Sequence, residues 1–270
     1  MENRKGNGIF LGIVSVATLI VAIIGATFAF FSATTNSEEG AVGLEAYEFK
    51  LSLSMNQIWP AAGASTKMIP LAPKTVIPNA AEPNNTNLLY AINVAENKCI
   101  DSNGLQVCAL YEVVIKNDAP NAITLTGQIR TESNTPGSGT GATGFQNLTY
   151  QEVDGTPAGG FTLVGEPITL DQRPVVADEE VEEGHLPTGY VEIGDIDITG
   201  ATIAADGKVT TQGSGTAYIL IYLNENGNQS SEMGASYAGT VIYSSKEGTG
   251  NTLTGTFKVA APEEEPESGE

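Results

Sequence analysis

Hydrophobic and polar positions divide this chain sharply at Ala33. From Ile9 to Ala33 the sequence is apolar and carries no charge, and Arg4 and Lys5 stand just before it. A basic flank followed by such a run is the pattern that export machinery reads, because a charge in the bilayer core is costly. The run exceeds the apolar core of an ordinary signal peptide, roughly 7–15 residues. It is long enough to span a bilayer, which takes about 20 residues. Its end holds the small residues Gly25, Ala26, Thr27 and Ala29, which a signal peptidase requires before a cut. Cleavage between Ala29 and Phe30 is therefore one outcome, and Ala33 is a poorer site because Phe31 fills the position that should be small. Retention of residues 9–33 as a membrane anchor is the other outcome.

Beyond Ala33 the period shortens to two. In Leu44–Ser54, Tyr47, Phe49, Leu51 and Leu53 share one face and Glu48 and Lys50 the other, as in a half-buried strand. Residues 55–87 contain Pro60, Pro70, Pro73, Pro78 and Pro83. Proline cannot donate to a ladder, so loop with short edge strands is expected there. Trp59, alone of its kind, reads as a core plug. Strand patterns follow over Leu88–Cys99, Leu105–Lys116, Ala122–Arg130, Phe161–Leu170 and Tyr190–Ile203, the last carried by Val191, Ile193, Ile196 and Ile198. Asp206-Gly207 marks a turn. Ala217–Leu223 is almost wholly apolar, as in a central strand buried on both faces. Gly239–Ser245 and Asn251–Ala260 end the pattern. Residues 131–160, rich in Gly, Thr and Ser, predict a long exposed excursion with one hairpin around Asn147–Val153. No amphipathic helix of consequence is expected after Ala33. Roughly ten short strands separated by turn signals predict an all-β fold, an antiparallel β-sandwich of jelly-roll type, preceded by an N-terminal apolar export helix. The expected organisation is residues 1–29 as signal peptide, 30–43 as an extended segment, 44–260 as the sandwich and 261–270 as a disordered acidic tail.

The sharpest local expectation lies at Asp101-Ser-Asn-Gly104. Asn-Gly is a strong two-residue hairpin signal, because both central positions need positive φ. That turn pairs Ser102 with Leu105, Asp101 with Gln106, Ile100 with Val107 and Cys99 with Cys108. The cysteine pair is then non-hydrogen-bonded, and its short Cα separation suits a cross-strand disulfide. These are the only two cysteines, and an exported chain meets an oxidising compartment. Two cysteines without a nearby histidine are too few ligands for zinc.

Composition narrows the function classes. The net charge of −20 excludes a nucleic-acid partner, which needs a basic face, and disfavours docking on anionic lipid. It keeps an exported protein soluble, and binding of divalent cations is the sharper alternative. Asp178–Glu183 is a carboxylate cluster without the Gly or Asn spacing of a calcium loop, so it reads as a solvated acidic loop. Gly137–Gly144 lacks the Gly-Lys-Ser/Thr ending of a phosphate loop. Leu186-Pro-Thr-Gly189 is one residue short of a sortase signal and is internal. The single histidine is His185. A zinc protease needs two or three His or Glu ligands and a base, and a serine triad would need that same histidine. Neither catalytic residues nor a metal or cofactor is expected.

Gly25-Ala-Thr-Phe-Ala-Phe-Phe-Ser32 resembles the export signal of the TasA and camelysin family of Gram-positive bacteria, which a SipW-type signal peptidase cuts after the Ala. Matched here, the cut follows Ala29 and the mature chain starts at Phe30. Gly40–Ser54 resembles that family's first strand and Asn228–Ser244 its closing strand, whereas Asn56–Tyr218 matches only by strand pattern. The resemblance implies a secreted or cell-surface subunit of a biofilm-matrix fibre. In it the mature terminus, Phe30, Phe31, Ser32 and Ala33, adds as a strand to the sheet of another copy. The partners implied are the chain itself, the signal peptidase during export and an accessory anchoring subunit. The residues themselves show an apolar terminus in need of a partner, which packing back on its own domain would also satisfy. Two further readings stand beside this one. The first is a membrane-tethered adhesion module with residues 131–160 as contact surface. The second is a metallopeptidase, since camelysin is described as one, against which the lone histidine argues. A type IV pilin is excluded, because the apolar run lacks the Gly before a Phe and the Glu five residues inside.

Overall fold

The computed structural model describes residues 50–61, 67–70, 88–93, 98–101, 104–138, 140–171, 173–174, 186–225, 229–245 and 252–261. The chain divides into a unit Met1–Tyr47 and a unit Glu48–Glu270, and every element below belongs to the second. The export segment, Ala29, the segment Phe30–Ala33, Tyr47, Phe49, the cluster Asp178–Glu183, His185 and the tail 262–270 lie outside the described residues.

In chain order the elements are β1 (Leu51–Trp59), α1 (Leu88–Asn93), β2 (Cys108–Asn117), β3 (Ile123–Thr135), β4 (Leu148–Thr156), β5 (Gly160–Thr169), β6 (Tyr190–Ile198), β7 (Thr202–Ile203), β8 (Val209–Thr211), β9 (Gly213–Leu223), β10 (Ser236–Ser245) and β11 (Thr252–Ala260). A 3-10 turn at Ser230–Glu232 precedes β10. The fold is all-β. One sheet has the order β1-β2-β9-β4-β5 and a second β11-β10-β3-β6, while β7 and β8 form a separate two-stranded ribbon. Every pairing of named strands is antiparallel.

The alternation read from the sequence explains why the two sheets stack. Tyr111, Val113 and Ile115 of β2, and Ile219, Ile221 and Leu223 of β9, share one buried cluster with Leu125 and Ile129 of β3 and Val241 and Tyr243 of β10. Each of these sets is spaced by two, so each strand gives one face to the layer between the sheets. The intervening residues Leu110, Leu220 and Tyr222 belong to a second cluster, with Leu88, Ala91 and Ile92 of α1, Trp59 and Phe161. β9 is thus central in its sheet and buried on both faces, as its apolar run predicts. Trp59 is the expected plug, its ring 5.4 Å edge-on from Phe161. In β6 the alternation slips between Ile193 and Ile196, and the ladder shifts opposite them, between Leu125 and Gly127. One extra residue in a strand returns the next side chain to the same face.

Three expectations are corrected. Leu88–Asn93 is a helix, not a strand: its buried residues are Leu88, Ala91 and Ile92, the i, i+3, i+4 spacing of a helical face. The statement that no helix of consequence follows Ala33 falls with it. Residues 131–160 are not an exposed excursion. β3 continues to Thr135, Phe145 and Leu148 are fully buried, and β4 and β5 form a hairpin closing at Thr156–Gly160. β1 runs on past Ser54 to Trp59.

Candidate functional site

Ala29, Phe30, Phe31, Ser32 and Ala33 lie outside the described residues, so what the structure offers is the surface that a joining strand would meet. The cysteine pair is present. Cys99 and Cys108 sulfurs stand 2.06 Å apart and their Cα atoms 4.8 Å apart. The hairpin register differs from expectation. Val107 N–H donates to the Cys99 carbonyl at 2.9 Å, and Ile100 bridges Gln106, so Cys99 stands opposite Val107 and reaches Cys108 diagonally. Asp101 stands opposite Leu105: its N–H donates to the Leu105 carbonyl at 2.9 Å, its Oδ1 accepts the Leu105 amide at 2.7 Å and its carbonyl accepts the Gly104 amide at 3.0 Å. Cys99 takes a left-handed φ of 65°. Its amide donates to the Ala91 carbonyl at 2.5 Å. The disulfide hairpin therefore fastens α1 as well as β2.

Four strands end the two sheets, and three are blunted. β5 carries Pro167, and the Asn93 side chain occupies its backbone near the turn: Asn93 Nδ2 donates to the Phe161 carbonyl at 2.5 Å, and Phe161 N–H donates to Asn93 Oδ1 at 2.6 Å. β6 bears Glu192, Asp195 and Asp197. The ladder of β1 shifts between Gln57 and Trp59. Proline, like charge and irregularity all discourage strand addition. β11 differs. It pairs with β10 over nine consecutive positions without a shift, from Ser244↔Thr252 to Ser236↔Ala260, and its only charged residue is Lys258. Among the described residues, one contact reaches its outer side, where Met68 N–H donates to the Ala260 carbonyl at 2.6 Å beside a parallel bridge from Lys67. That contact fixes the parity of the edge. Ala260 turns its carbonyl outward, and Ala261 N–H donates inward to Ala235. In an antiparallel ladder the outward positions alternate, so Thr252, Thr254, Thr256 and Lys258 present their backbone groups outward too.

Two cavities hold acidic groups. The first, about 630 Å³, lies between β4 and β6, with Glu152, Asp154, Asp195 and Asp197 on its walls and Tyr218 beside them. Burial, then the nearby Asp154 charge, raises the Glu152 carboxyl above the usual carboxylate value. A Cβ at Gly194 would stand 2.6 Å from Glu152 Oε2, so the carboxylate lies close against the β6 backbone there and a larger residue would push it aside. Among the described residues no group of three or more His, Cys, Asp or Glu is arranged to hold a metal ion.

The second cavity, about 320 Å³, is at the end of the sandwich where β9 and β11 finish. Met68, Ile69, Pro70, Leu223, Met233 and Ala261 make it largely apolar. Glu232 lines it from the 3-10 turn and is only 3% exposed. The turn is clamped from both sides: Thr143 N–H donates to the Ser231 carbonyl at 2.7 Å, and a Cβ at Gly137 would strike the Met233 carbonyl at 2.0 Å. Burial raises the Glu232 carboxyl, against hydrogen bonds from the Gln146 backbone and the Gln229 and Asn147 side chains. Among the described residues those bonds leave its Oε2 without a partner, and that atom is itself buried. Sequence reading passed over Glu232, because a glutamate in a polar loop carries no burial signal of its own.

No protein-family model, curated protein or solved structure matches the chain.

Proposed function

We propose that the chain is an exported structural protein of the cell surface or extracellular matrix, and that it builds fibres by strand addition along β11. The observation that carries this reading is the regular, nearly uncharged outer edge of β11, unshifted over its whole length, where among the described residues β5 and β6 carry proline or like charge and the β1 ladder shifts before Trp59. An extended apolar segment such as Phe30–Ala33 is the matching donor. Main-chain hydrogen bonds supply affinity in such a joint and alternate side chains supply specificity. The export pattern of residues 4–33 and the resemblance to the TasA and camelysin family support the same reading, with the signal peptidase and an accessory anchoring subunit as further partners.

The jelly-roll form of the sandwich belongs to this proposal. It is supported by the order β2-β9-β4-β5 in one sheet against β10-β3-β6 in the other. The steps β2 to β3, β3 to β4, β5 to β6, β6 to β9 and β9 to β10 change sheet, while the β4–β5 hairpin stays within one, and such alternation between sheets is what a jelly roll uses. β1 and β11 would then be departures, β1 joining β2 in a hairpin-like pair and β11 filling the edge beside β10.

The test is electron microscopy of chains starting at Phe30 and at Glu38. Fibres from the first and none from the second are expected. Single particles from both would overturn intrinsic self-assembly. A membrane-tethered binding module, with residues 9–33 retained, would then lead, the acidic cavity between β4 and β6 favouring a basic partner. The proposed role is not catalytic. Proteolysis of casein that depends on an added metal would contradict it in favour of a camelysin-like peptidase.

A further inference from the structure

We infer that α1 is a strap set by oxidation: the Cys99–Cys108 bridge fastens it over its sheet, where Asn93 closes the β5 edge against a second copy of the chain. This holds whether or not fibres grow along β11. At one end of the strap Cys99 is tied to Cys108 of β2, its amide donates to the Ala91 carbonyl at 2.5 Å, and its carbonyl accepts Val107 N–H at 2.9 Å. At the other end Asn93 Nδ2 donates to the Phe161 carbonyl at 2.5 Å, and Phe161 N–H donates to Asn93 Oδ1 at 2.6 Å. One side-chain amide thus takes the two main-chain groups that a neighbouring strand would take. Phe161 turns those groups away from its ladder partner Gly155 on β4, and outward positions alternate in an antiparallel pair, so Leu163 presents its own outward as well.

The strap also hides an apolar floor, since Leu88, Ala91 and Ile92 share one buried cluster with Leu110, Leu220 and Phe161. An uncovered edge with outward main-chain groups and apolar surface beside it pairs with another chain. The stretch Gly160–Val164 is uncharged, so two highly acidic copies can meet there by the same edge, antiparallel and two-fold. Glu166 and Pro167 confine the pairing to that stretch. The bridge decides whether the strap stays. α1 has six residues, against the roughly 12–15 at which an isolated helix is still marginal in water. It therefore depends on its anchors. Cys99 holds a left-handed φ, which a non-glycine residue leaves when nothing fixes it. Setting the strap takes a disulfide oxidant. Two thiols give up two protons and two electrons, the bond between the sulfurs forms, and the oxidant's disulfide is reduced to two thiols. Both cysteines are buried once joined, so the strap is set during folding and is then shielded from exchange with other thiols.

Hydrogen exchange on the full chain in detergent tests this, with the oxidised protein set beside protein folded in excess dithiothreitol. In dilute reduced protein the Phe161 amide should exchange at least about tenfold faster than in the oxidised protein, while Ile219–Tyr222 keep their rates. Raising the concentration of reduced protein should slow exchange at Phe161 and Leu163, and should leave the oxidised protein unchanged. Asn93→Ala should give the same concentration dependence with the bridge intact, which keeps the test open if the reduced chain fails to fold. Equal Phe161 rates in the oxidised and reduced proteins would overturn the strap, as would an acceleration shared equally by Ile219–Tyr222. Rates at Leu163 that ignore concentration in both the reduced and the Asn93→Ala proteins would overturn pairing along β5. Protection that appears at Thr254 and Thr256 instead of Leu163 would overturn it too, by placing the contact on β11.

Discussion

At the scale of single residues, asparagine amides do work that backbone does elsewhere. Asn93 pairs with both main-chain groups of Phe161, and Asn134 does the same for Phe145, at 2.8 and 2.9 Å. Asn117 accepts the Ala119 amide and donates to the carbonyls of Asn121 and Thr199. Asn93→Ala leaves two buried main-chain groups without partners, so a loss of about 1–3 kcal/mol is expected, read as a lower urea midpoint with unchanged slope. Asp171 is a second such clamp. Its Oδ2 accepts the Gly189 amide at 3.0 Å, and Arg173 grips both carboxylate oxygens. The Arg173 hydrogen bonds, against partial burial and with help from the Gly189 and Arg173 amides, lower its carboxyl from 3.8 to about 2. A carboxyl depressed by folding contributes stability that is whole above its unfolded value and is lost as pH falls through its folded one. Melting temperature should therefore fall between pH 3.8 and about 2, and the Asp171→Asn profile should be flatter across that window. An identical slope in both proteins would remove Asp171 from the acid response.

Among the elements, the disulfide hairpin and β11 carry the clearest consequences. The two cysteines are nine apart in sequence, and a loop that short constrains the unfolded chain by about 2–3 kcal/mol. Reduction should lower the urea midpoint accordingly while β2, deep in its sheet, stays folded by circular dichroism. On β11, Thr254 presents its N–H outward, so Thr254→Pro removes no bond to β10 but blocks the edge. The Phe30 chain with this change should keep its monomer spectrum and form no fibres. Fibres of normal length would place the joint on another edge. Strands proved legible where one face is apolar and the period is two, as in β2, β9 and β10. They were not where composition hides pattern. The Gly- and Thr-rich stretch read as loop because small residues pack well in a sheet yet score as turn formers, so the tail of β3 and the depth of Phe145 were missed. The six residues of α1 are too few to show a helical period. Its identity comes from packing over Leu110, Leu220 and Tyr222, a tertiary decision. The cysteine pairing was legible from two residues in one hairpin; its diagonal register was not, because the bonds of Asp101 to Leu105 set Cys99 opposite Val107, and a side-chain bond of that kind leaves no mark in a strand pattern.

For the whole molecule, charge and topology set the terms of assembly. Copies starting at Phe30, which lose Glu2, Arg4 and Lys5 and so carry 10 basic against 31 acidic residues, a net −21, repel one another over about a Debye length, ~30 Å at 0.01 M salt and ~8 Å at 0.15 M. Fibre growth by the Phe30 chain should quicken across that range in light scattering, and growth that slows with salt would point to ionic joints instead. Topology also ranks the protein's own parts. β9 is flanked by β2 and β4 in the middle of its sheet, covered on one face by the second sheet and on the other by α1 and Trp59. No local opening frees its backbone without dismantling both clusters, so deuterium enters the amides of Ile219–Tyr222 only when the entire sandwich comes apart. Those four amides are a gauge of global stability, against which every substitution named above can be read in water without denaturant.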